Sequence, residues 1–231
     1  MTDKLLLITG ASTGIGAATA RAAAAAGWKV ALAARSADKL DALVAEIGEE
    51  IGEELVPGRA RAIVCDVADE ASVARAVEEA ASFGPLTAVF ANAGLGSTRP
   101  GIEGGDPANW RAMLDVNIWG LMLTVHHALP HLRETKGQVL LTGSRAGRAT
   151  IKGSIYGATK WFVRGFAENL AEEMKQWGGR CTLIAPGMVD TPFFETPKPD
   201  ALRPDDVARA VLFALEQPPH VAVGELFVTP A

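Results

Sequence analysis

The sequence predicts one α/β domain over residues 1–231, in which a doubly wound, mostly parallel sheet of six or seven strands carries helices on both faces. Two observations support this fold class. Short apolar runs alternate along the chain with longer stretches of helical character, which is the pattern of consecutive strand-helix-strand units. No linker or shift of composition divides the 231 residues. One sheet with a single core is therefore expected.

The predicted strands are short apolar runs, and each is followed by glycine, proline or polar residues. They lie at residues 4–9, 28–34, 61–65, 86–91, 137–142, 180–185 and 226–228. Such runs are typical of strands that are covered on both faces of a sheet.

The predicted helices fill the intervals between these strands. They lie at about residues 17–26, 37–54, 69–82, 107–134, 155–177 and 205–216. Gly27 closes the first helix, and Asp69 is a candidate N-cap for the third. The second helix is expected to fray at its end, where residues 47–50 and 51–54 repeat the same four letters and include two glycines.

The composition favours a small-molecule partner and a cytoplasmic protein. The formal net charge is -5 and the pI is about 5.4, which argues against a nucleic-acid-binding face or a membrane-surface patch. The first residues do not form a signal peptide, and no stretch of the sequence is long and apolar enough for a membrane span. We therefore expect neither nucleic acid nor membrane as a partner.

The cysteines and histidines predict neither a disulfide nor a metal site. Cys65 and Cys181 lie within apolar runs, which is typical of buried, inert thiols. His127 and His131 are four residues apart on a predicted helix and could bind a metal. No third ligand is evident, so ordinary helix histidines are favoured.

A glycine-rich turn follows the first predicted strand. Gly10, Gly14 and Gly16 form a G-x3-G-x-G pattern that leads into the first helix. Glycines allow a sharp turn and the close approach of a ligand, and the amides at the start of a helix favour a diphosphate. A purely structural tight turn is the alternative.

The ends of the second and third strands bear on the choice of nucleotide. An acidic residue after the second strand would bond the adenosine ribose and repel a 2′-phosphate, but this chain has Ala34 followed by Arg35. The planar arginine fork matches a phosphate, which favours NADP(H) over NAD(H); the alternative is an arginine that is merely exposed. Asp66, after the third strand, could contact the adenine amino group or serve only as a turn residue.

Tyr156 and Lys160 are one helical turn apart, so a phenol and an ammonium share one helix face. Tyr156 is the sole tyrosine, and a neighbouring cation would lower its pKa from the usual value of about 10. The alternative is a tyrosine beside a solvated lysine. Ser144, at the end of the fifth strand, can face the same small cavity. Asn117 lies within an apolar helical stretch, so it either caps a local irregularity or belongs to a polar network.

Together these motifs resemble the short-chain dehydrogenase/reductase family, in its shorter, non-extended branch with a Rossmann-type sheet. The similarity spans nearly the whole chain. Residues 9–16 resemble the cofactor motif of the family, residues 92–94 its sheet-stabilising turn, and residues 186–191 its nicotinamide-side loop. The places of the catalytic tetrad are occupied, in order, by Asn117, Ser144, Tyr156 and Lys160.

The resemblance implies a reaction and a role for each of these residues. In carbonyl reduction, Ser144 would bond the substrate oxygen, Tyr156 would donate a proton to it, and the nicotinamide would deliver hydride to the carbon. Lys160 would lower the Tyr156 pKa and hold the nicotinamide ribose, and Asn117 would hold a water that connects Lys160 to solvent. The residues implied to bind the cofactor are Gly10, Ser12, Gly14, Ile15, Gly16, Arg35, Asp66, Val67, Asn92, Gly94, Tyr156, Lys160, Pro186, Gly187, Val189 and Thr191.

The expected substrate is a small to medium carbonyl compound or secondary alcohol. Residues 191–204 form a shorter segment than the mobile lid of many members, which indicates an open or partner-covered pocket. The expected pocket residues are partly apolar, namely Leu95, Ile151, Met188, Phe193 and Phe194. Three loop cations could recruit an anion, although simple exposure is the favoured interpretation; they are Arg145, Arg148 and Lys152.

Members of the family usually assemble as dimers or tetramers, so a homodimer or homotetramer is expected. The helices that carry Asn117 and Tyr156 would form the contact, and the apolar residues 161–163 are compatible with it.

Two other functions are considered. One is a dinucleotide-sensing or scaffold protein without turnover, which loss of Tyr156 or Lys160 would mark, and neither is lost. The other is an NAD-dependent alcohol dehydrogenase.

Overall fold

The computed structural model describes residues 4–51 and 58–231, and it contains a seven-stranded sheet. The strands are β1 (Leu5–Thr9), β2 (Lys29–Ala34), β3 (Ala60–Val64), β4 (Leu86–Ala91), β5 (Gln138–Thr142), β6 (Arg180–Pro186) and β7 (Glu225–Val228). Their order in the sheet is β3-β2-β1-β4-β5-β6-β7, and each neighbouring pair is parallel. The predicted fold class is confirmed, with seven strands.

The helices lie between consecutive strands, as the sequence predicts. Over the described ranges they are α1 (Gly14–Ala25), α2 (Ala37–Ile51), α3 (Glu70–Phe83), α4 (Pro107–Leu114), α5 (Leu121–Thr135), α6 (Ile155–Lys175) and α7 (Pro204–Leu215). A π-helical segment, Asp115–Gly120, joins α4 to α5, and a short 3-10 turn, Arg145–Gly147, follows β5.

The hydrophobic core has two layers, one on each face of the sheet. Along β1, Leu5 and Leu7 belong to one layer and Leu6 and Ile8 to the other, because successive side chains of a strand point to opposite faces. Helices α3, α5 and α6 cover the first face, and α1, α2 and α7 cover the second. Because helices cover both faces of the sheet, each strand is a continuous apolar run in which polar residues do not alternate with apolar ones.

Most predicted boundaries lie within one or two residues of the observed ones, but two helices differ. α1 begins at Gly14 instead of residue 17, because the turn closes tightly enough for its later glycines to enter the helix. The helical stretch predicted at residues 107–134 is continuous, but it widens into a π-helix around Asn117. The end predicted for α2 at residues 52–54 lies outside the described residues.

Asn92 connects the carboxyl ends of three neighbouring strands. Its side-chain amide donates to the carbonyl oxygens of Thr9 (3.1 Å) and Gly10 (3.3 Å), at the end of β1. Its Oδ1 accepts a hydrogen bond from Thr142 Oγ1 on β5 (3.1 Å), and its backbone amide donates to Thr9 Oγ1 (3.1 Å). These contacts agree with the sheet-stabilising turn expected at residues 92–94.

The surroundings of the two cysteines and of His131 indicate structural roles for these residues. Both cysteines are buried free thiols, and burial raises the pKa of Cys181 to about 12. His131 Nε2 lies 3.1 Å from Glu78 Oε1, so this histidine links α5 to α3. Within residues 4–51 and 58–231, no three His, Cys, Asp or Glu side chains lie close enough to share a metal ion. In the same ranges none of the helices has the length and apolar character needed to cross a bilayer.

Candidate active site

The turn between β1 and α1 requires glycine at three points. Gly10 and Gly14 have φ angles of +64° and +56°, which side chains rarely allow. A Cβ atom on Gly16 would lie 2.3 Å from the Gly10 carbonyl oxygen, so α1 could not pack this closely against the turn. Ser12 and Ile15 are half-buried in the same turn. The tight packing accounts for the G-x3-G-x-G spacing.

The first turn of α1 presents backbone amides in a form that suits an anion. Within this described turn, the N-cap residue Thr13 makes no side-chain capping hydrogen bond, and no acidic residue is present. By contrast, the side chains of Asp69, Asp106 and Ser154 cap α3, α4 and α6. Because uncapped amides at a helix start favour negative charge, this end of α1 fits the diphosphate of a dinucleotide.

Arg35 and Asp66 lie at the carboxyl edge of the sheet. Arg35 follows β2 directly and is exposed. Asp66 Oδ1 accepts a hydrogen bond from the Ala68 amide (3.0 Å), so this carboxylate forms the turn that was one of its two expected roles. Val67 is buried and packs on Gly120, where a Cβ atom would lie 2.7 Å from the Val67 carbonyl oxygen.

Tyr156 and Lys160 lie at the start of α6. Ser154 caps this helix by accepting a hydrogen bond from the Gly157 amide (2.9 Å). Lys160 is only 4% exposed, and its Nζ donates to the Thr142 carbonyl oxygen at the end of β5 (2.8 Å). Nζ is 5.7 Å from the centroid of the Tyr156 ring. The alternative of a solvated lysine is therefore wrong, because the ammonium is buried beside the phenol.

Ser144 meets Tyr156 from the end of β5. Its Oγ accepts a hydrogen bond from the Ala146 amide (3.1 Å), which places Ser144 at the start of the 3-10 turn. The Ser144 side chain is also hydrogen-bonded to Tyr156. A hydroxyl on a strand end and a phenol on the following helix thus share one site, as the sequence predicts.

Asn117 lies in the π-helical segment and is 1% exposed. Its Oδ1 accepts a hydrogen bond from the Leu95 amide (2.7 Å), and its Nδ2 donates to the Leu95 carbonyl oxygen (2.9 Å). Nδ2 also donates to Thr159 Oγ1 (3.2 Å), and this hydroxyl donates to the Tyr156 carbonyl oxygen (2.7 Å). Of the two expectations for Asn117, membership of a polar network is confirmed, and no capping bond from its side chain is seen in the π-helical segment.

Gly94 lies between Asn117 and Lys160. A Cβ atom at Gly94 would be 3.5 Å from Asn117 Oδ1 and 3.8 Å from Lys160 Nζ, so both polar groups face the turn after β4. Sequence reasoning missed Thr142 and Thr159, which bind these groups. Neither threonine lies in a motif that marks it, because one acts through its backbone carbonyl and the other within a helix.

Loss of hydration shifts both titratable groups towards their neutral forms. Burial raises the pKa of the Tyr156 phenol, and the hydrogen bond with Ser144 opposes this only in part. Burial also lowers the pKa of Lys160 to about 8. The expected lowering of the Tyr156 pKa by Lys160 is not seen in this structure, in which burial is the largest influence on the phenol. Tyr156 is therefore protonated at neutral pH.

The loop after β6 returns to the glycine turn. Pro186 ends β6 and Gly187 follows it, while Val189 is buried with 5% exposure. Thr191 lies beside α1, since a Cβ atom on Gly14 would be 3.1 Å from Thr191 Cγ2. The expected nicotinamide-side loop and the expected diphosphate turn therefore border the same region.

The loop cations differ in their contacts. Arg148 is paired with Glu225, and its guanidinium lies 5.8 Å from the centroid of the Phe227 ring, so it supports β7. Arg145 is exposed. Lys152 is exposed at a cleft of about 530 Å³ that residues 100–104 also line. Arg148 thus has a structural role, and the recruitment of an anion stays a prediction for the other two.

A parallel sheet of this order, with a glycine turn after β1 and a tyrosine beside a buried lysine nearby, is typical of dinucleotide-binding α/β oxidoreductases. The family model described as short chain dehydrogenase matches residues 4–201. The chain belongs to the short-chain dehydrogenase/reductase family, which confirms the resemblance found in the sequence.

Known proteins resemble the chain over almost its whole length. An uncharacterized oxidoreductase of Staphylococcus saprophyticus is 37% identical over 99% of this chain and 97% of its own. The alcohol dehydrogenase of the archaeon Thermococcus sibiricus, solved in complex with 5-hydroxy-NADP, is 33% identical with a TM-score of 0.90, covering 99% of this chain and 97% of that one. The 3-ketoacyl-(acyl-carrier-protein) reductase of Brucella melitensis, complexed with NADH, is 29% identical with a TM-score of 0.88, covering 100% and 98%.

The depressed pKa of Lys160 predicts how stability depends on pH. Between about pH 8 and the unfolded-state pKa of 10.5, the unfolded chain binds more protons at this lysine than the folded chain, so stability rises with pH. Lys160→Met removes this dependence. The free energy of unfolding of the native protein, minus that of the variant, is expected to increase by roughly 3 kcal/mol between pH 7.5 and 10.5.

Urea denaturation of the dinucleotide-free proteins at several pH values measures this difference. Lys175→Met, on the exposed end of the same helix, is the matched control and should show a nearly constant difference. A Lys160→Met difference that stays flat over this pH range would show that the ammonium is not desolvated.

Proposed function

We propose that the protein is an NADP(H)-dependent oxidoreductase that transfers a hydride between nicotinamide and a carbonyl compound or secondary alcohol. The observation that carries the proposal is the convergence of Ser144, Tyr156 and buried Lys160 at the carboxyl edge of the sheet. The similarity to an alcohol dehydrogenase and to a ketoacyl reductase supports the same chemistry.

In the proposed reduction, each group acts on a stated atom. The Ser144 hydroxyl bonds the substrate carbonyl oxygen, and the Tyr156 hydroxyl donates its proton to that oxygen. Lys160 would stabilise the resulting phenolate and would hold the nicotinamide ribose of a bound dinucleotide. Asn117 Oδ1 and Lys160 Nζ both face Gly94, which suits the return of a proton from solvent to Lys160. The bound dinucleotide supplies the hydride.

The direction of the Tyr156 pKa supports reduction as the favoured direction at neutral pH. A phenol whose pKa is raised by burial is protonated, and it is therefore ready to act as the general acid. Oxidation of an alcohol needs the phenolate, so we expect that direction to require more alkaline conditions.

Tyr156→Phe tests the proposed acid. The substitution removes the proton donor and leaves the ring in place, so kcat/KM for carbonyl reduction should fall at least 100-fold or so, within the range known for general acids. The affinity for NADPH, measured by fluorescence titration, should change by less than about twofold, because Lys160 still holds the ribose. Retained turnover would rule out the acid role. Absence of turnover in the native protein would favour the scaffold alternative.

The preference for NADP(H) rests on Arg35. This exposed guanidinium follows β2, at the point where Ala34 takes the place of an acidic residue. Ser12 in the adjoining turn is a second candidate for the 2′-phosphate. The structural relatives include complexes with a 5-hydroxy-NADP and with NADH, so the residues of this chain carry the assignment.

Arg35→Ala should weaken NADPH binding at least tenfold, equal to about 1.4 kcal/mol, and leave NADH binding nearly unchanged. Fluorescence titration with each dinucleotide measures both affinities. Arg99→Ala, which removes another exposed arginine in the loop after β4, is the control and should alter neither. Equal losses for the two dinucleotides would overturn the assignment and favour the NAD-dependent alternative.

We also propose a homo-oligomer formed through α4, the π-helical segment and α6. Large apolar side chains are exposed on these elements, namely Leu114 (44%), Trp119 (45%), Trp161 (47%) and Phe162 (38%). α6 packs against both of the other elements, so these side chains lie on adjoining surfaces. Exposed apolar groups in such number are typical of a contact between subunits.

Trp161→Glu should reduce the oligomer to a smaller species, because it would place a charge in the buried contact. Light scattering coupled to size-exclusion chromatography gives the molar mass. Phe213→Glu, an equally drastic change at an exposed side chain of α7, should leave an α6-mediated dimer intact. An unchanged mass for Trp161→Glu would place the contact elsewhere.

A further inference from the structure

Hydrogen bonds hold together the two ends of the loop between β6 and α7. Val189 and Leu202 form an isolated parallel bridge, and the Asp190 amide donates to the Leu202 carbonyl oxygen (2.8 Å). Asp190 Oδ1 also accepts a hydrogen bond from the Lys198 amide (2.9 Å). These contacts hold both ends of the loop together and leave residues 191–197 as a short tip.

The tip places Phe193 against Tyr156. The two ring centroids are 5.7 Å apart at an angle of 57°, within the range of favourable aromatic pairs. Phe194 supports Phe193 edge-on, at 5.3 Å and 76°, and Lys198 Nζ lies 5.6 Å from the Phe194 ring centroid. The short loop therefore covers one side of the Tyr156 ring, and the expected open or partner-covered pocket stays a prediction.

The Phe193 ring packs on the backbone of Gly96. A Cβ atom on Gly96 would lie 2.6 and 2.8 Å from two Phe193 ring carbons, so any other residue would displace the ring. The Gly96 carbonyl oxygen accepts a hydrogen bond from Asn109 Nδ2 (3.1 Å), and Asn109 Oδ1 accepts one from the Thr98 amide (3.0 Å). Asn109 on α4 thus holds the Gly96 backbone in place, and the Phe193 ring lies between this backbone and Tyr156.

We propose that Phe193, seated on Gly96, is a residue that determines substrate specificity in the proposed reaction. Its ring lies against the Tyr156 ring, in space that a large substituent of the carbonyl carbon would need. Small aldehydes and ketones reach the phenol without moving the ring, whereas bulky ones must displace it from both contacts. The inference rests on the proposed function for its substrate, but the cover over Tyr156 can be tested separately.

The cover is tested by chemical modification, because Tyr156 is the sole tyrosine. Nitration by tetranitromethane, followed by mass spectrometry of the intact protein, reports the accessibility of this one ring. Phe193→Ala and Gly96→Ala should each increase the rate at least fivefold, the second without removing the phenylalanine. Phe213→Ala, at an exposed aromatic residue on α7, should not change it. Unchanged rates in both variants would overturn the proposal.

Specificity is tested with NADPH and a series of aliphatic and aryl aldehydes and ketones of increasing size. In the native protein kcat/KM should fall with size. In Phe193→Ala and Gly96→Ala the ratio of bulky to small substrates should rise at least tenfold. A constant ratio with normal turnover of small substrates would overturn the specificity role and leave the proposed function intact. Failure of the native protein to reduce any member would count against the proposed function, while nitration still reports the cover.

Discussion

The burial of the Lys160 ammonium is the constraint on which the rest of the site depends. A charge removed from water is unfavourable unless other groups bind it, and here Nζ donates to the Thr142 carbonyl oxygen. The remaining desolvation holds its pKa near 8. Ribose hydroxyls placed beside Nζ would add acceptors and favour its charged form, so the burial itself favours occupation by a dinucleotide.

Two asparagines hold the backbone around this lysine. Asn92 binds the ends of β1 and β5, and Asn117 binds both polar atoms of the Leu95 backbone. In each case a side-chain amide supplies the donors and acceptors that the strands no longer provide where they separate. The carboxyl edge of the sheet can therefore open towards a ligand without leaving these buried backbone groups unpaired.

The sequence predicts the sheet well because each strand is a local apolar run between polar or glycine residues, and burial on both faces demands that pattern. It also predicts that Tyr156, Lys160 and Ser144 meet, since consecutive elements fix their positions. It does not predict the π-helical form of the segment around Asn117, nor the bonds of that side chain to the distant Leu95 backbone. The contact of Phe193 with Gly96 is also invisible in sequence, because it joins two loops that only the fold brings together.

The two ends of the proposed site differ in their exposure to solvent. Arg35 is exposed at the proposed adenosine end, whereas Phe193 packs on Tyr156 at the proposed reacting end. The cover and the acid strength are linked, because excluding water from Tyr156 raises its pKa and keeps the proton that reduction needs. Loss of the Phe193 ring would hydrate the phenol and lower that pKa. Shape selection and proton donation are thus coupled through the same aromatic contact, so a wider pocket would also have a weaker hold on its proton.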